Sequence, residues 1–234
     1  MRPDSQIKMI SLAIALAMGL ALTVALICIS CIKKAPTPTP TITDSQGSED
    51  FPVQAETQPT ETQVPQGNGL LFSSNGDGTC VLSGIGSCTD ACVVIPTYAP
   101  SGELVTAVAP MALYGCESMT ALQIPASVTS IGSLAFADCK NLSYISVAVE
   151  NLAYRDVEGV LYSADLSVLL LYPPMRAGTS LTLLSTTTKI SDMAFYRCIN
   201  LSRIVYTGTA EQWESISIGS KNYSLTAAAK AFEG

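Results

Sequence analysis

Residues 119–147 read MTALQIPASVTSIGSLAFADCKNLSYISV, and this stretch contains one complete repeat. With the frame fixed on Cys139, apolar or small residues fall at Val128, Ile131, Ala135, Phe136, Cys139, Leu142, Ile145 and Val147. Stepping back 23 positions places Val105, Val108, Ala112, Leu113, Cys116, Met119, Leu122 and Ile124 in the same slots. Stepping forward 59 places Ile190, Ala194, Phe195, Cys198, Leu201, Ile204 and Tyr206 there, with Thr187 in the weakest slot. A fixed period in the twenties marks a solenoid, in which each coil buries its apolar row only by stacking on the next.

The repeat predicts its own local structure. The run Ser127–Ile131 is expected as a short strand, Gly132 as a sharp turn, Leu134–Cys139 as a single helical or 3₁₀ turn and Tyr144–Val147 as a second strand. Stacking would align these strands into two parallel sheets, with coils roughly 4.8 Å apart. Leu113, Phe136 and Phe195 would form one internal ladder, and Cys116, Cys139 and Cys198 another. Free cysteine behaves as a small hydrophobe, so these thiols read as core. The chain has no histidine, and its one CxxC, Cys28 with Cys31, lies in an apolar run, so a zinc site has poor support. Cys80, Cys88 and Cys92 stay open; Cys88 and Cys92 could pair across a turn.

The segments Ile124-Pro125, Ser127-Val128-Thr129-Ser130-Ile131-Gly132, Ala135-Phe136-Ala137-Asp138-Cys139 and Leu142-Ser143-Tyr144-Ile145 resemble the BspA-like branch of the leucine-rich repeats. The resemblance covers about residues 68–220. It implies a β-rich right-handed solenoid of short strands and single helical turns. It also implies a cell-surface or secreted module that contacts other macromolecules, and no catalysis.

The chain divides by composition. Met9–Ile32 is a run of 24 uncharged residues, flanked by Arg2 and Lys8 and by Lys33-Lys34. About 20 apolar residues span a bilayer, so residues 1–34 read as a membrane anchor with one signal-anchor helix. Lipid attachment at Cys28 or Cys31, and cleavage to a secreted form, are the alternatives. Each of them puts the remainder outside the cytoplasm. Residues 35–67 are rich in Pro and Thr, with five acidic residues and no basic one. Such a segment has little to bury and is expected to be a disordered stalk with polyproline-II character. Residues 68–225 form the solenoid with its caps, and the alanine-rich 226–234 reads as a flexible tail.

At the start of the solenoid Leu70, Leu71 and Phe72 predict a strand, and Asn75-Gly76-Asp77-Gly78 a hairpin turn. Val81–Gly86 and Val93–Pro96 follow as strand-like runs, and together this first coil is read as a cap. The turn also resembles half of a calcium loop, but the later glutamate of that motif is missing. Between the second and third matched repeats lie 36 extra residues. Their runs 157–162 and 168–172, on either side of Ala164-Asp165, predict an inserted β-hairpin carrying Tyr154, Tyr162 and Tyr172. Tyr206–Ile216 leaves the last strand for a helix capped by Thr209, with Trp213 and Ile216 packing as a terminal cap.

Catalysis has little to work with, since the usual general base is absent. Asp156 and Glu158 are spaced to share a strand face, a pair a hydrolase could use; charges of this kind on a hairpin are ordinarily solvated. From Asn68 onward, 13 acidic against 8 basic residues leave a net −5, which opposes nucleic-acid binding. No cofactor is implied. Two functions remain: a membrane-anchored surface module binding a protein or glycan, or an envelope spacer with no specific ligand. For the first, strand alternation nominates Gln123, Tyr144, Ser146, Arg203 and Val205 as the outward binding face.

Overall fold

The structure is a computed structural model and describes residues 69–234. The expected anchor and stalk lie outside the described residues. Among the described residues no helix is long and apolar enough to cross a membrane.

Strands β1 (Leu71–Ser74) and β2 (Thr79–Gly84) form the expected hairpin, turning on Gly76 and Gly78 at φ 77° and 85°. Parallel stacking then begins. One side of the solenoid pairs β2 with β4 (Leu104–Val108) and β6 (Ser130–Ile131); the other pairs β3 (Cys92–Val94), β5 (Ala121–Ile124) and β7 (Tyr144–Val147). After an excursion through β8 (Tyr154–Val157) and β9 (Val160–Ser163), β10 (Val168–Leu171) and β11 (Ser180–Leu183) resume the stack. They are continued by β12 (Lys189–Ile190), β13 (Arg203–Tyr206), β14 (Ser217–Ile218) and β15 (Ala229–Phe232). Two five-residue helices, α1 (Ala210–Glu214) and α2 (Tyr223–Ala227), flank β14. The described residues thus make six coils, and β1, running antiparallel to β2, shields the first of them.

The repeat slots are the core. All eight slots are buried in the second coil and in the fifth, Thr187 included; its hydroxyl donates to the Leu166 carbonyl at 3.3 Å. In the third coil Ile131 and Val147 are only half-buried, because the next coil is the irregular one. That coil accounts for most of the apparent insertion. Leu181 pairs with Ile204, 23 residues on, so a disguised fourth repeat lies inside the 36 residues, and the true surplus is 13. Tyr172 fills the ladder slot: it stacks on Phe195 at 5.3 Å, and its carbonyl accepts from Cys198 Sγ just as that of Leu113 accepts from Cys139 Sγ. The fourth coil reaches that slot in three residues from Leu169, where the fifth takes five from Ile190, so it is two residues short at this corner.

Three expectations are corrected. The runs 157–162 and 168–172 do not form a single hairpin; Glu158-Gly159 is a second tight turn, both residues at positive φ (51° and 81°), which makes β8–β9–β10 a meander. Of the tyrosines it carries, Tyr162 and Tyr172 are buried, and the Tyr154 hydroxyl accepts from the Ile131 N–H at 2.9 Å. The segment Leu134–Cys139 is not a helical turn: Leu134 and Asp138 both take φ 58°, as do their equivalents Met111, Met193 and Arg197 within a few degrees, which breaks helical progression twice per repeat. The end of the chain, expected as a tail over 226–234, carries β15 and completes a sixth coil against β13. Gly132, expected to serve the turn, is required by crowding. A Cβ there would lie 2.3 Å from the Pro110 nitrogen of the preceding coil.

The interior is divided. One apolar cluster runs from Leu70 to Leu171 and the other from Val160 to Ala228, and β9 stands between them. Successive strand side chains point to opposite faces, so Leu161 enters the first cluster while Val160 and Tyr162 enter the second.

Cys80, Cys88, Cys116, Cys139 and Cys198 are free thiols. Burial pushes Cys139 and Cys198 up to about 12. Both are therefore expected to stay protonated and unreactive toward iodoacetamide at pH 8 in the folded chain and to react once urea opens it, as peptide mass mapping would show.

Candidate functional site

The two sheets built from the second strand of each coil present the outward side chains. In the first, Gln123 lies in register between Val94 and Ser146, and Tyr144 in register beyond Ala121 and Cys92. Gln123 Nε2 faces Cys92 Sγ at 3.8 Å. At the ends of these strands Pro96 and Pro125 turn the chain aside and leave a hollow of about 300 Å³, bordered by Gln123, Ser146, Val94 and Val147. In the second sheet Arg203 lies in register between Ser180 and Ala229, and Val205 between Thr182 and Ala231. Arg203 is exposed and Val205 half-buried.

The five nominated residues therefore fall into a group of three and a group of two. Between them stands the Glu158-Gly159 tip, whose Gly159 carbonyl accepts from the Ile145 N–H at 3.2 Å. Tyr144 packs beneath it; a Cβ on Gly159 would come within 2.5 Å of the tyrosine ring. Arg176 latches the tip from the other side, donating to the Glu158 carbonyl at 3.0 Å and pairing with its carboxylate at 2.6 Å. This arrangement was missed at the level of sequence, although a Glu-Gly pair between Val157 and Val160 has the composition of a two-residue hairpin turn.

The acidic pair considered for hydrolysis is otherwise engaged. Asp156 accepts the Val147 N–H at 2.9 Å, and Glu158 is held by Arg176. No group of three potential metal ligands occurs among the described residues. The Asn75–Gly78 loop is closed by its own Asp77, which accepts from the Thr79 N–H at 3.0 Å.

Residues 101–156 and 176–226 match the family described as "BspA type Leucine rich repeat region (6 copies)". No curated protein matches. Among solved structures, the pneumococcal vaccine antigen PcpA is 22% identical over 52% of this chain and 29% of its own, with a TM-score of 0.46. A leucine rich cell surface protein from Faecalibacterium prausnitzii A2-165 is 26% identical over 56% of this chain and 37% of its own, with a TM-score of 0.45. The chain thus spans well under half the length of either. The family match takes in the turns and strands of the second, third and fifth coils, and over residues 101–156 and 176–226 the chain carries leucine-rich repeats of the BspA type.

Proposed function

We propose that this chain is a non-catalytic binding module displayed at the cell surface, engaging an extracellular protein or glycan through its outward strand face. The observation that carries this reading is the hollow beside β3, β5 and β7. There the amide of Gln123 and the hydroxyl of Ser146 meet apolar walls from Val94, Val147, Pro96 and Pro125. A few convergent polar groups in an apolar concavity are the usual makings of a recognition site. Residues 9–32 would hold the chain to a membrane, and 35–67 would carry the repeats clear of it. Arg203 and Val205, beyond the hairpin tip, would extend the contact to a large partner.

Full-length chain displayed on cells, titrated with labelled matrix proteins and a glycan array, tests this. We expect saturable binding that weakens at least tenfold on combining Gln123→Ala with Ser146→Ala and less on Arg203→Ala, with circular dichroism unchanged. The spacer reading draws on the exposed Ser180, Thr182, Thr188 and Ser217 of the later coils. Absence of saturable binding across both panels would favour it.

A further inference from the structure

The corners of the coils are stitched together by main-chain hydrogen bonds as regularly as the strands are. Alternate N–H groups of one corner, on Met111, Leu113 and Gly115, donate to the Ser133, Ala135 and Ala137 carbonyls of the next at 2.8–3.1 Å. The fifth coil repeats this toward the sixth, Met193 donating to the Ser220 carbonyl at 2.8 Å and Phe195 to Asn222 Oδ1 at 2.9 Å. The third coil has the same corner and the same left-handed residues, yet the N–H groups of Leu134, Phe136 and Asp138 donate to no protein group among the described residues.

The cause is the fourth coil's missing pair of residues. Its Tyr172 N–H reaches forward to the Ala194 carbonyl at 2.9 Å, and its Met175 N–H reaches back to the Leu142 carbonyl at 2.9 Å, but at this corner no carbonyl of the fourth coil accepts from the third. A notch of about 260 Å³ opens there, with Ile131, Leu134 and Phe136 on one wall, Leu170 and Leu171 as floor, and Ser191 opposite. The Asp138–Arg197 ion pair, at 2.9 Å, joins equivalent positions of the third and fifth coils. Asp192, also in the lining, has its Oδ1 occupied by the Ser220 N–H at 2.6 Å.

We propose that this notch binds a short peptide backbone rung from a separate protein, independently of the strand face. Alternate carbonyls of about five residues would accept the N–H groups of Leu134, Phe136 and Asp138, and an apolar side chain would rest on Ile131 and Leu170. In the second coil all three members of this donor row, and in the fifth the first two, are satisfied by the next coil, through main-chain carbonyls or Asn222. The chain's own fourth coil is too short to supply it, so the complementary ligand is a peptide with an apolar residue. This is the logic by which unpaired sheet edges capture strands, moved to a corner.

The probe is a synthetic peptide with the sequence of residues 132–138, a copy of the rung that accepts such N–H groups elsewhere in the stack. It is titrated against the full-length chain, with amide exchange followed residue by residue. Saturable binding that slows exchange at Leu134, Phe136 and Asp138 at least tenfold is the expected result, lost when Leu170→Trp fills the notch. Should that variant not fold, Ser133→Trp at the exposed rim gives the same readout. The proposal is overturned by absence of binding, or by protection that appears at other amides only. It is also overturned if these three amides already exchange as slowly as the bonded Leu113 amide without peptide, which would mean that another part of the chain fills the notch.

Discussion

Phe195→Ala is expected to cost the fold about 3–5 kcal/mol, read as a lowered midpoint in urea unfolding. The ring is fully buried and stacks on Tyr172 at 5.3 Å with 23° between planes. Truncation removes its transfer free energy and its ring pairing, and leaves a cavity that rigid neighbouring coils cannot collapse into. Phe195→Leu provides the contrast. The second coil carries Leu113 in this slot, fully buried, so leucine is a side chain the corner can hold, and a loss under about 1.5 kcal/mol is expected. Ile199 is 82% exposed only four positions away, and Ile199→Ala should fall within about 0.5 kcal/mol of the parent chain. If Phe195→Ala proved as mild as Ile199→Ala, the ladder would not be the source of cohesion.

The second large effect is expected at Asn151, which is 7% exposed and whose side chain makes four hydrogen bonds. Its Nδ2 donates to the Pro125 and Val128 carbonyls at 2.8 and 2.9 Å, and its Oδ1 accepts from the Ala153 and Tyr154 N–H groups at 2.9 and 2.8 Å. One amide thus ties the third coil to the start of β8. Asn151→Ala strands two donors and two acceptors in or near the core, and a loss on the order of 3 kcal/mol follows from about 1–3 kcal/mol per buried group left unpaired. Asn151→Asp separates the two halves of this role. A carboxylate keeps the acceptors but turns charge toward two carbonyls, so burial and those carbonyls would raise its folded-state value above the ~3.9 of an unfolded aspartate. A raised value means stability present at low pH and lost as pH rises through it. The aspartate variant should therefore lie closer to the parent chain at pH 3 than at pH 7 in denaturant titrations, which the alanine variant should not.

What the sequence made legible was whatever repeated. The slots at 23-residue spacing identified the core of the second, third and fifth coils, because each slot meets its own kind above and below. The fourth coil escaped because its identity is positional. Tyr172 takes the place of a phenylalanine, but two deleted residues shift it out of frame with Leu169. The left-handed corners escaped as well. Leu134 and Met193 are residues with no preference for positive φ, and they adopt it because the inter-coil bonds at each corner demand it. Of the outward residues, Gln123 and Ser146 followed from strand alternation alone. That Tyr144 would lie under Gly159, apart from Arg203, depended on Arg176 clamping a turn 18 residues earlier in the chain, a pairing with no periodic signature.

The partition strand β9 has a mechanical consequence. In a stack of like coils every interface is interchangeable, so fraying that starts at one end can advance coil by coil. Here a fray from either end meets a strand with three side chains shared out between the halves, Leu161 on one side and Val160 with Tyr162 on the other. Pulling β9 free strips both cores in a single event. A chain tugged by its first residue would yield as far as that strand and hold there, as a rope does at a knot, until both halves let go together.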